Sequence, residues 1–225
     1  FAFSVALGVW LTFTCAAGAG QASADDAGSP PLYFRVASAA ALFTGPASPF
    51  TVTDLGTLGG PVTKAMGIND GGDVVGASQT GTYLHGFTWT AGTMTNLGDL
   101  GGQGSWAYDV NAVGQVVGGS PLGSGDNHAF LWQNGGMQDL GTLGGPTSYA
   151  FEINDAGQAV GYACCAPDTY LSHAVLWGSG GIVDLGDLDL QWPAISAAYG
   201  LNDAGQVVGG SYDASANFHA FLWQN

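Results

Sequence analysis

Apolar residues in this chain come in short runs rich in β-branched and aromatic side chains, bounded by clusters of Gly, Asn, Asp and Pro. That is the signature of strands separated by turns. From Tyr149 onward the runs predict strands near Tyr149 to Asn154, Gln158 to Tyr162, His173 to Trp177 and Ile182 to Leu185. In the run His128 to Trp132, alternation puts His128, Phe130 and Trp132 on one face and Ala129 and Leu131 on the other. Both faces are largely apolar, which suits a strand buried between neighbouring layers. No segment of the repeats keeps a helical period of apolar residues, so the reading is all-β.

The pattern recurs. His85, His128, His173 and His219 are separated by 43, 45 and 46 residues, and Trp89, Trp132, Trp177 and Trp223 each follow their histidine by four. Asn69, Asn111, Asn154 and Asn202 close a second block, ahead of a third of the form GQVVG. A period of about 40 to 50 residues belongs to propellers, solenoids or arrays. The expected fold is a β-propeller built from four-stranded repeats of about 43 residues, with four copies visible.

The combination of HAFLW at 128–132, DLGTLGG at 139–145 and INDAGQAVG at 153–161 resembles the HAF repeat family of extracellular bacterial proteins. The match covers about residues 50–225. The resemblance implies a secreted, propeller-like repeat protein. It implies no activity, because the family carries no catalytic or binding residues to transfer. Departures are few: Gly86 and Thr88 alter the first HAFLW, Val175 the third, and Gly104-Ser105-Trp106 stands where Pro146-Thr147-Ser148 stands one repeat later.

Residues 1–24 read as a secretory signal peptide, with an apolar run to Ala17 and an A-x-A site at Ala22-Ser23-Ala24 before Asp25-Asp26. Neither an initiator Met nor a charged leading segment precedes the run, as expected of a piece whose beginning is lost. The run is short for a membrane span, so no span is expected after cleavage. Residues 25–49 read as a linker with a candidate strand at Leu32 to Val36, and 50–225 as the repeat domain. Its first expected strand is Phe50 to Leu55, with Val52 in the column of Met94, Met137 and Ile182. The last copy stops at HAFLWQN, without that strand. Two arrangements follow: a four-blade ring closed by Phe50 to Leu55, or part of a larger ring, and the second is favoured.

The net charge is −15; Arg35 and Lys64 are the only basic residues, and Glu152 is the single glutamate. Salt bridges therefore cannot organise the fold. So few cations argue against nucleic acid, whose phosphates must be neutralised, and against an anionic membrane surface. Carbohydrates, proteins and cations remain as partners. The expected location is extracellular or cell-surface, with the periplasm as the alternative.

The repeated NDxG offers Asp70, Asp155 and Asp203 as hard oxygen ligands for Ca²⁺. A hairpin turn explains the motif better, because the second copy reads Asn111-Ala112-Val113-Gly114, keeping Asn and Gly but dropping the carboxylate. The four histidines recur with the same strand and read as packing and hydrogen-bonding residues rather than a metal ring, and the four tryptophans read as core. The LGxLGG stretch has no Lys and no helix after it, and is a loop rather than a phosphate cradle. Residues that break the repeat are better candidates. One column reads Gly67, Asp109, Glu152, Gly200, so two adjacent copies place carboxylates in the prospective channel. Cys164 and Cys165 are adjacent in a long loop, and a vicinal disulfide, an intermolecular bridge or two thiols all fit.

The function these features favour is a non-catalytic extracellular binding module, with specificity in the loops at 119–127, 163–172 and 211–218. The alternative is a secreted propeller hydrolase or lyase acting on polysaccharide through Asp109 and Glu152.

Overall fold

The computed structural model describes residues 50–165, 171–188 and 195–224. The signal peptide, the linker with its candidate strand, and part of the 163–172 loop lie outside these residues. The described residues form fifteen strands and no helix. The first sheet runs β1 (Thr63–Ile68), β2 (Val74–Thr80), β3 (Tyr83–Thr90) and β4 (Thr93–Asn96). The second runs β5 (Trp106–Val110), β6 (Val116–Pro121), β7 (Asn127–Gln133) and β8 (Gly136–Asp139); the third runs β9 (Ser148–Ile153), β10 (Ala159–Cys164), β11 (Ser172–Gly178) and β12 (Gly181–Gly186). The fourth contains β13 (Ser196–Leu201), β14 (Val207–Tyr212) and β15 (Phe218–Trp223). Every pairing is antiparallel between consecutive strands, so each repeat is one meander, and the fold is propeller-like.

Neighbouring blades bury one apolar layer between them, which is why the strands are apolar on both faces. Val75, Ala107, Val110, Val116 and Phe130 fill the layer between the first two blades. Val117, Ala150, Ile153 and Trp177 lie in the next layer, and Val160, Ala174, Ala198 and Val207 in the third. The first strands β1, β5, β9 and β13 pack one against the next.

Each first strand carries a β-bulge at the same place. Ala150 pairs with Gly161 and Glu152 with Val160, leaving Phe151 as the extra residue. Met66, Tyr108 and Tyr199 are the extra residues of β1, β5 and β13. The bulge draws the first strand onto the second, and the glycine of GQVVG is what admits it: a β-carbon on Gly161 would collide with the Tyr149 carbonyl oxygen. Gly76, Gly118 and Gly209 face the Lys64, Trp106 and Ala197 carbonyls in the same way.

Buried serines stitch the blades together. Ser148 Oγ accepts the Ala129 N–H at 2.9 Å and donates to the Gly141 carbonyl at 2.7 Å. Ser105 and Ser196 make the same two bonds in their blades. Ser105 is thus the equivalent of Ser148, one place along from the alignment drawn on sequence.

The histidines bridge strands within one blade. His128 Nδ1 lies 2.8 Å from Asp139, and His173 Nδ1 lies 2.8 Å from Asp184. His85 instead meets Thr80 at 2.7 Å and Asp99 at 3.4 Å. Histidine therefore supplies the carboxylate partners that Lys and Arg cannot.

One expectation about the ring is corrected, and the less favoured of the two arrangements is not seen. Phe50 to Leu55 forms no strand, and Val52 is 96% exposed. In complete blades this segment pairs with the HAFLW strand just before it, as Met137 does with Trp132, and residues 25–49 carry no such motif. Nor do the described residues close a four-blade ring. Ile68 at one end is 67% exposed, and Val208 and Leu222 at the other are 49% and 58% exposed, although Val75, Val117 and Val160 in the column of Val208 are fully buried. The four blades form an open arc.

Candidate functional site: the inner wall and the turn basin

The NDxG turns gather at one end of the first strands around a basin of about 410 Å³. Their geometry comes from asparagine. Asn111 Oδ1 accepts the Gln115 N–H at 2.9 Å, while its Nδ2 donates to Gln115 Oε1 at 2.7 Å and to the Asn154 carbonyl of the next blade at 3.0 Å. Asn69 and Asn154 repeat this arrangement toward Asn111 and Asn202. The turn glycines, Gly114 at φ 79° among them, adopt the left-handed conformation that L side chains avoid. Asparagine thus both shapes each turn and joins it to its neighbour, which accounts for its presence in every copy.

Asp70, Asp155 and Asp203 all line the basin. Asp155 Oδ1 accepts the Ala112 N–H at 2.8 Å, and Asp203 Oδ1 accepts the Asp155 N–H at 3.1 Å, so two of the three fasten one turn to the next. Among the described residues no three His, Cys, Asp or Glu side chains gather closely enough to hold a metal ion. The turns therefore bring the calcium candidates into one basin without forming a chelating cluster.

Of the two repeat-breaking carboxylates, Glu152 also lines this basin, and both it and Asp109 reach the next blade. Asp109 Oδ2 accepts the Ile153 N–H at 3.0 Å, and Glu152 Oε2 accepts the Leu201 N–H at 3.1 Å. Both are half-buried. Desolvation raises the Asp109 pKa above the usual carboxylate range against the pull of its backbone hydrogen bonds. Glu152 is raised by desolvation first, against the pull of its Leu201 backbone hydrogen bond, and also by the Asp109 charge. At Gly67 a β-carbon would lie 2.7 Å from the Tyr108 carbonyl oxygen, and at Gly200 it would lie 2.7 Å from Val208 Cγ2. Packing therefore explains why this column holds glycine in the outer copies.

Sequence reasoning missed the aromatic wall beside these carboxylates. Tyr108 and Phe151 are 5.7 Å apart between ring centroids, and Phe151 stacks on Tyr199 at 6.0 Å with the planes 25° apart. Tyr149 and Tyr162 pack behind them, 5.5 Å apart. Burial, aided by the neighbouring phenols and the Cys164 thiol, pushes the Tyr162 pKa up to about 12. The signal was present in the repeat: the position before the carboxylate column reads Met66, Tyr108, Phe151, Tyr199. It is the bulged position in all four blades.

Elsewhere, Trp177 is buried in the layer between the second and third blades, whereas Trp89, Trp132 and Trp223 are half-buried. Cys164 and Cys165 are both free thiols, and burial raises the pKa of each. No described helix is long and apolar enough to cross a membrane.

No family model and no curated protein matches the sequence. Among solved structures, the chain is similar to the acylaminoacyl peptidase of Pyrococcus horikoshii, at 12% identity and a TM-score of 0.46 over 73% of this chain and 26% of that one. It is also similar to TolB from Acinetobacter baumannii, at 11% identity and a TM-score of 0.43 over 69% of this chain and 42% of that one. The chain thus spans less than half the length of either protein.

Proposed function

We propose that this chain is a non-catalytic binding module of the HAF repeat type that works outside the cell. The observation that carries the reading is the use made of the repeat-breaking carboxylates: Asp109 and Glu152 each accept a backbone N–H of the following blade. A glycoside hydrolase needs one carboxyl group aimed at the leaving oxygen and the other at water or the sugar. Here both are enlisted in holding blade to blade, which argues for a rigid wall that presents side chains rather than for acid–base turnover. The extracellular part of the reading rests on the signal-peptide pattern of residues 1–24. Carbohydrate or protein suits the wall better than nucleic acid, because Lys64 is the only Lys or Arg among the described residues.

The test is a screen of the purified chain on a glycan array and against Ca²⁺, with thermal melts for every hit. Native-state binding raises the melting temperature with ligand concentration. Cleavage of a bound glycan would contradict the reading.

A further inference from the structure

The aromatic wall has three properties that together select a ligand class. First, its rings form a continuous row across blades, with Tyr108, Phe151 and Tyr199 contributing one ring each at intervals of 5.7 and 6.0 Å. Second, none of the phenol hydroxyls of Tyr108, Tyr149, Tyr162 and Tyr199 is hydrogen-bonded to another described residue, nor is any a sealed, unpaired group. Third, the carboxylates of Asp109 and Glu152 directly follow two of these rings in the chain.

We propose that this wall binds a neutral oligosaccharide, laid along the rings of Tyr108, Phe151 and Tyr199. The inference rests on the binding-module reading and names its ligand. Sugar rings present apolar C–H faces that stack on aromatic faces, and their hydroxyls both donate and accept hydrogen bonds. The phenols supply donors and acceptors, and the remaining carboxylate oxygens supply acceptors. The net charge of −15 selects against glycans carrying carboxylate or sulfate.

The test is isothermal titration of the full chain with cellohexaose, xylohexaose and chitohexaose as neutral probes and hexagalacturonate as the anionic one. At least one neutral hexamer should bind and hexagalacturonate should not. Tyr199 is 55% exposed, so Tyr199→Ala leaves the core intact and should weaken binding about five- to tenfold, the worth of one aromatic contact. Tyr199→Phe should keep most of the affinity, and Phe151→Ala, checked for folding by circular dichroism, should repeat the loss. No binding of any neutral hexamer to the folded chain would overturn the proposal, as would hexagalacturonate binding equally well. A neutral hexamer whose affinity ignores both alanine variants would also overturn it while leaving the binding-module reading in place, with the loops as its site. Shortened sugar products would sink the non-catalytic reading instead, and the Tyr199→Ala ratio would still decide for or against the wall.

Discussion

Asp109 on one blade accepts the backbone N–H of Ile153 on the next, 3.0 Å away. The bond makes a residue that departs from the repeat into part of the fold. Asp109→Ala leaves the Ile153 amide without its partner and should cost about 1–3 kcal/mol. Asp109→Asn keeps an acceptor oxygen and removes a desolvated charge, so it should be neutral or stabilising at pH 7. Urea unfolding of the two variants separates these outcomes.

The same carboxylates make stability depend on pH. Desolvation raises both pKa values in the folded state, so their contribution is fully present below the unfolded carboxylate pKa of about 4. It is lost as pH rises through the raised folded values. Replacing both by amides, Asp109→Asn with Glu152→Gln, should remove that loss. Between about pH 4 and 7 the double variant should therefore gain stability relative to the parent, as measured by denaturant melts at each pH.

Ser148 satisfies two backbone groups of the preceding blade at once. Ser148→Ala strands a buried N–H and a carbonyl together and should cost about 2–4 kcal/mol. Ser124→Ala, in an exposed turn, should stay within about 0.5 kcal/mol.

Gly161 lets the bulge of β9 close over it. Gly161→Ala should therefore cost about 3 kcal/mol, near the top of the usual overpacking range. It should also displace Phe151, which a change in the near-ultraviolet circular dichroism would register.

The strands of the third repeat lie within one or two residues of their expected positions, because alternation and turn residues are local signals. What depends on a distant partner was harder to read. Phe50 to Leu55 has the composition of a strand, but composition does not say whether a neighbouring strand pairs with it. The His128–Asp139 pair spans 11 residues, and its partner column of Asn96, Asp139 and Asp184 was visible in the repeat but not connected to the histidines. The aromatic wall was hidden for a different reason. A bulge shifts which side chains share a face, so simple alternation along the 149–154 strand could not place Phe151. The reading of Asn as the turn-maker held at Asn111, where the carboxylate is absent, because the asparagine amide makes the turn bonds itself.

The central claim is that the inner wall binds glycan without cleaving it. The most direct measurement is an NMR titration of the aromatic side chains with the tightest of the neutral hexamers, followed by mass spectrometry of the recovered sugar. The account predicts shifts at Tyr108, Phe151 and Tyr199 and an intact hexamer. Shifts confined to the loops at 119–127 and 211–218, or a shortened sugar, would contradict it.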